Sequence, residues 1–216
     1  MLPTDQDVSY LQELAATLRK FSNSYHLYLV TGGGWIARKY INWGRDLDAD
    51  EATLDELGIM VSRVNAKLLS TALGKDVNPH PAKTFHEAMM AGKHYSIVVM
   101  GGTHPGHTTD AVSAMLAERL RCKRLINVTS VDGVYSDDPR LDKEATRFDR
   151  LDHDELISIV GKNEGGAGPN VVFDPLAAKI IKRAGIKTYI VSGDDLKNIE
   201  AAINDEEFHG TIIGDI

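Results

Sequence analysis

Glycines stand between an apolar run and a helical pattern at two places: Gly32, Gly33 and Gly34 after residues 26–31, and Gly101 and Gly102 after residues 95–100. Such turns let backbone N–H groups come close to an anion, and the helix that follows adds partial positive charge. Two of them in one chain point to more than one phosphate group. Groups suited to phosphate oxygens lie alongside: Arg38, one turn into the first helical pattern, and the hydroxyls of Thr103, Thr108 and Thr109 in the second loop. Gly101 to Thr108 approaches the Walker A spacing, but His107 stands where that pattern demands a lysine with a fixed charge. His104, His107 and Asp110 fall at three-residue intervals; the first two precede the helix, so a shared metal-binding face does not follow from the spacing.

Carboxylates form the other chemical group. Asp132 closes a strand pattern, Asp137 and Asp138 follow it, and Asp174 precedes Pro175 at the head of a helical pattern. Carboxylates so placed can orient a lysine or a magnesium-bound nucleotide. Asp174 also reads as a helix cap, and Asp137 with Asp138 as a turn before Pro139. Asp55 by itself reads as surface charge on a helix, and Trp35 and Trp43 read as packed side chains. Cys122 is the only cysteine, which excludes an intramolecular disulfide and a cysteine-based zinc site and leaves a free core thiol.

The elements that must position these groups alternate. Helical spacing covers residues 7–21, about 50–73, 85–91, 110–120, 154–160, 175–184 and 196–203; strand patterns cover 26–31, 95–100, 124–129 and 187–191. Strands alternating with helices imply parallel pairing through right-handed crossovers, hence an α/β fold with helices on both faces of a mostly parallel sheet. Ligands then bind beyond the carboxyl ends of the strands, where the two glycine turns and the loop after residue 129 lie. Residues 161–170 read as a glycine-rich mobile stretch.

The 216 residues suit one compact domain, with 43% hydrophobic and 25% charged residues. A net charge of −7 argues against nucleic-acid or anionic-membrane binding, so phosphate recognition has to be local. No apolar run approaches the roughly 20 residues of a spanning helix, and no signal segment is seen. The expectation is a cytoplasmic protein with no membrane partner.

Taken together, VTGGGWIARKYI from Val30, DELGIMVSRVNAKLL from Asp55, VMGGTHPGHTTDA from Val99, TSVDGVYSDDPR from Thr129 and FDPLAAKIIKRAGIKT from Phe173 resemble the amino acid kinase family, within it the archaeal-type UMP kinases. The GGTHPGHTTD loop is the most specific of these. The resemblance implies a three-layer α/β/α fold with a mostly parallel central sheet and a single domain over 1–216, acceptor-binding to about residue 120 and ATP-binding from about 121. It implies transfer of the ATP γ-phosphate to UMP with Mg²⁺, in a homohexamer. Gly33, Asp55, Thr103, His104, Pro105, Gly106, His107, Thr108 and Thr109 would hold UMP, and Gly34, Arg38, Thr129, Tyr135 and Asp138 would contact ATP. Asp132, Asp174 and Lys179 would organise the transfer; no protein-held metal site is expected. Another small-molecule kinase of the family, or a non-catalytic nucleotide-binding subunit, is the alternative. The resemblance also implies a strand and glycine-rich loop before the first helix, about where this sequence begins, so an earlier natural start is expected.

Overall fold

The computed structural model describes residues 8–137, 139, 141–161 and 173–214. These form two compact units that divide between Val112 and Ser113, inside one helix.

The first unit runs α1 (Val8–Phe21), β1 (Leu27–Val30), α2 (Gly34–Asp46), α3 (Glu51–Leu73), a 3₁₀ turn (Gly74–Asp76), α4 (Phe85–Ala91), β2 (Ile97–Met100) and the start of α5 (Thr109–Leu120). The four residues of β2 are all buried, as suits a strand covered on both faces. β1 pairs with it in parallel, from Leu27 opposite Ile97 to Val30 opposite Met100. On its other edge Asn78 stands in for a strand: its Oδ1 accepts from the Val99 N–H at 2.7 Å and its Nδ2 donates to the Val99 carbonyl at 3.0 Å. α3 begins where Asp50 accepts from the Thr53 N–H at 2.9 Å and buries Leu54, Ala66, Leu69 and Leu73. Trp35 and Trp43, expected to pack, are 38% and 49% exposed on α2, because the buried side of that helix is made by Ala37 and Gly44.

The second unit holds the rest of α5, then β3 (Arg124–Thr129), β4 (Val134–Tyr135), β5 (Arg147–Phe148), β6 (Arg150–Leu151), α6 (His153–Gly161), α7 (Pro175–Ala184), β7 (Lys187–Ser192), α8 (Leu196–Asn204) and β8 (Thr211–Ile213). The sheet order is β3-β7-β8-β6; β3 with β7 and β6 with β8 are parallel, β7 with β8 antiparallel, and β4 and β5 make a separate antiparallel pair. β4, β5, β6 and β8 are absent from the sequence-based expectation. At two or three residues each they are too short to show a two-residue alternation. Leu156, Phe173, Ile181, Ile190 and Ile213 form the core, and Cys122 packs against it, where burial pushes its thiol pKa up. Of the expected glycine-rich stretch, residues 162–170 lie outside the described residues, as does Asp138.

Candidate active site

In the first unit both glycine turns leave adjacent strand ends. Thr31 N–H donates to the Met100 carbonyl at 3.0 Å, so residues 31–34 and 101–109 start side by side. One stretch of α3 holds both. Asn65 Nδ2 donates to the Gly32 carbonyl at 2.8 Å, and Thr31 Oγ1 to the Ser62 carbonyl at 2.8 Å. Ser62 Oγ accepts from the buried Gly102 N–H at 2.7 Å, while Arg63 donates to the Gly102 and Thr103 carbonyls, each at 3.1 Å. The loop sits so close to α3 that a Cβ on Gly101 would stand 2.9 Å from the Arg63 backbone nitrogen.

Farther along the same loop, Asp55 Oδ2 accepts from the Gly106 N–H at 2.6 Å, and Gly106 has a φ of +81° that favours glycine. Thr108 Oγ1 accepts from the Ala111 N–H at 3.1 Å at the start of α5. Among the described residues Thr103 Oγ1 and His107 Nδ1 are buried without a hydrogen-bond partner, as are Ser70 Oγ and Arg147 Nε. Buried polar atoms are almost always paired, so two such atoms on one loop make it a candidate for polar groups from elsewhere. His104 and Pro105 are exposed at the loop tip, and the His104 and His107 rings are 5.9 Å apart. Gly33 precedes α2, Gly34 opens it, and Arg38 is exposed one turn on.

In the second unit the polar residues gather after β3. Asp132 Oδ1 accepts from the Tyr135 hydroxyl at 2.8 Å; its Oδ2 lies 2.7 Å from His209 Nε2 and 3.4 Å from Arg147 Nη1. Burial would raise the Asp132 pKa, but the bonds from Tyr135 and His209 outweigh it and hold the carboxyl below its ordinary value. The same bond to Asp132 raises the Tyr135 phenol pKa. Thr129 ends β3, and its carbonyl accepts from the Gly193 N–H at 2.8 Å. Asp174 caps α7, its Oδ1 accepting from the Ala177 N–H at 2.8 Å, with Pro175 in the first turn; Lys179 is exposed on that helix.

Glycine turns at parallel strand ends and a loop pinned to a helix make this region the candidate site for a polar anion. The amino acid kinase family's sequence profile matches residues 2–192. This chain is a member of the amino acid kinase family. Among its relatives it is 46% identical to a uridylate kinase of Pyrococcus abyssi over 90% of this chain and 87% of that one. With a uridylate kinase of Archaeoglobus fulgidus it shares 45% over 94% and 91%. The crystal structure of an Archaeoglobus fulgidus uridylate kinase superposes with a TM-score of 0.88 at 42% identity, covering 97% of this chain and 94% of that one. A UMP kinase structure from Ureaplasma parvum shares the fold at 22% identity, with a TM-score of 0.76 over 98% and 94%.

Within this amino acid kinase, Ser62, Arg63 and Asn65 are the site residues that sequence reasoning passed over. They lie inside one of the segments that carried the resemblance, and Ser62 and Asn65 are polar residues on the buried side of a helix, which was the available signal. Arg147 and His209 were also missed. They reach Asp132 from 15 and 77 residues away in the chain, a proximity that no local pattern announces.

Proposed function

We propose that this amino acid kinase transfers the γ-phosphate of ATP to UMP, giving UDP and ADP. The loop over residues 101–109 carries the reading: α3 fixes its backbone through Asp55, Ser62 and Arg63, and among the described residues two of its polar side-chain atoms are buried without a partner. The 45–46% identity to uridylate kinases over nearly the whole chain supports the same acceptor.

Gly33, Asp55 and the loop from Thr103 through His104, Pro105, Gly106, His107 and Thr108 to Thr109 hold UMP. Asp55 uses Oδ2 on the loop and offers Oδ1 to the ribose hydroxyls. Gly34, Arg38, Thr129, Tyr135 and Asp138 contact ATP. Phosphoryl transfer asks for alignment and charge neutralisation more than for covalent chemistry, so backbone N–H groups, Arg38 and Lys179 suffice in kind. Asp132, with both oxygens engaged by protein donors, organises the nucleotide loop, while Asp174 faces the transfer with the oxygen not used in capping. Mg²⁺ enters with ATP and would neutralise phosphate charge. Among the described residues no three His, Cys, Asp or Glu side chains converge.

Cytoplasmic location and a homohexamer complete the reading. Among the described residues no helix is long and apolar enough to cross a membrane. Ile36, Tyr40, Trp43 and Leu47 form an exposed stripe at helical spacing along α2 and just past its end, an apolar face available for assembly.

The test is Mg-ATP-dependent phosphorylation of a panel of nucleoside monophosphates and small carboxylate or phosphate acceptors, with binding measured on the same samples. UDP formed from UMP in preference to the others is the expected result. Turnover of a different acceptor would assign another kinase of the family, and UMP binding without turnover would leave a nucleotide-binding subunit.

A further inference from the structure

Four segments meet at Asp132, the last of them 77 residues away along the chain. The loop after β3 brings Asp132 itself, β4 brings Tyr135, β5 brings Arg147 and the residue pair before β8 brings His209. The scaffold under this meeting point is tight. Thr211 Oγ1 accepts from the Val134 N–H at 2.8 Å and donates to the Phe148 carbonyl at 2.5 Å. A Cβ on Gly133 would come within 2.6 Å of Thr211 Oγ1 and 2.7 Å of Arg147 Cδ. His209 is held from α8 by a two-point clamp: its N–H donates to Asn198 Oδ1 and its carbonyl accepts from Asn198 Nδ2, each at 2.7 Å. An imidazole 66% open to solvent is therefore fixed at its backbone and aimed at a carboxylate.

The contacts within the cluster compete. His209 Nε2 lies 2.7 Å from Asp132 Oδ2 and 2.5 Å from Arg147 Nη1. One ring nitrogen carries either a hydrogen or a lone pair. With the hydrogen it donates to Asp132 and repels the guanidinium N–H; with the lone pair it accepts from Arg147 and leaves Asp132 Oδ2 to the 3.4 Å contact with Arg147 alone. Arg147 has another acceptor, Asp149 Oδ1 at 2.9 Å, and so can give up the imidazole at little cost. On Asp132 Oδ2 the longer 3.4 Å guanidinium contact is the weaker alternative.

We propose that His209 is a positioning residue for the nucleotide site, donating from Nε2 to Asp132 and thereby fixing the carboxylate that in turn holds the Tyr135 hydroxyl. Its influence on ATP passes through Asp132 and Tyr135 and touches neither substrate directly. This inference rests on the reading that Tyr135 contacts ATP.

The experiment measures ATP affinity by calorimetry in the absence of UMP, and KM for each substrate with kcat, in the full chain. His209→Ala is expected to weaken ATP binding and raise the ATP KM by about fivefold to twentyfold, the effect of one charge-assisted bond, with kcat and the UMP KM within about twofold. His209→Gln, which restores a donor at the side-chain tip, is expected to recover most of the ATP affinity. In a Tyr135→Phe background, where the hydroxyl link is cut, His209→Ala is expected to add less than about twofold. Full ATP affinity in His209→Ala, alongside a loss in Tyr135→Ala, would overturn the role of His209 and leave Tyr135 in the site. An undiminished effect of His209→Ala in the Tyr135→Phe background would overturn transmission through the hydroxyl. Unchanged ATP affinity in Tyr135→Ala would overturn the placement of Tyr135 and the proposal with it. Because His209 is exposed, its variants are expected to unfold at the parent temperature; if His209→Ala unfolds early, His209→Phe, which keeps a ring and lacks the donor, takes its place with and without Tyr135→Phe.

Discussion

Asp55 shows how a residue that reads as surface charge becomes part of a site. Its carboxylate is exposed on α3, yet one oxygen accepts from the Gly106 N–H at 2.6 Å and so fixes the tip of the loop assigned to UMP. Asp55→Asn keeps the shape and loses the charge; UMP binding is expected to weaken by about 1–2 kcal/mol, on the order of 5–30-fold, with the thermal midpoint nearly unchanged. An isotherm identical to the parent's would remove Asp55 from the acceptor site. Ser62 acts differently, because its hydroxyl is the partner of a buried N–H at Gly102. Ser62→Ala leaves that N–H unpaired and is expected to cost about 1–3 kcal/mol of stability in denaturant unfolding. The loop stood out by its residue types; its anchoring by Ser62, Arg63 and Asn65 did not, since a polar side chain inside a helix does not name its partner.

At the scale of elements, the helix starts and stops were written locally. Thr84 and Asp195 accept from N–H groups in the first turns of α4 and α8, and Gly185 closes α7 in the left-handed conformation at a φ of +60°. Asp174 caps α7 and is proposed to serve the transfer, and a single substitution can part the two. Asp174→Ser retains a capping oxygen and removes the carboxylate, so the thermal midpoint is expected to hold while kcat falls at least about tenfold. Equal kcat in Asp174→Ser and the parent would confine Asp174 to capping. The short strands β4, β5, β6 and β8 depend on partners elsewhere in the chain. Thr211 of β8 meets the Gly133 turn, and Arg147 of β5 meets Asp132, only once the sheet order β3-β7-β8-β6 exists.

For the molecule as a whole, Asp205 beside α8 is one contributor to acid sensitivity. Hydrogen bonding from Tyr189, then that from Lys187 and the charges of Arg124 and Lys187, lower its pKa against the opposing effect of burial. A carboxyl with a lower pKa when folded than when unfolded stabilises the fold above the unfolded value of about 3.9. That contribution is lost as pH falls through the folded value. Asp205→Asn is therefore expected to lower stability at neutral pH and to flatten the acid limb below about pH 4 in unfolding curves taken across pH; parallel curves would reject the assignment. The sequence by itself determined the α/β class, the long helices and the two glycine turns, because capping, helical spacing and glycine punctuation act within a few residues. It also determined the family, through five segments spread along the chain. Tertiary structure alone decided the anchoring of the loop on α3, the small strands and the meeting of Asp132, Tyr135, Arg147 and His209. Those contacts join residues up to 77 positions apart, and distance along the chain carries no information about distance in space until the strands have paired.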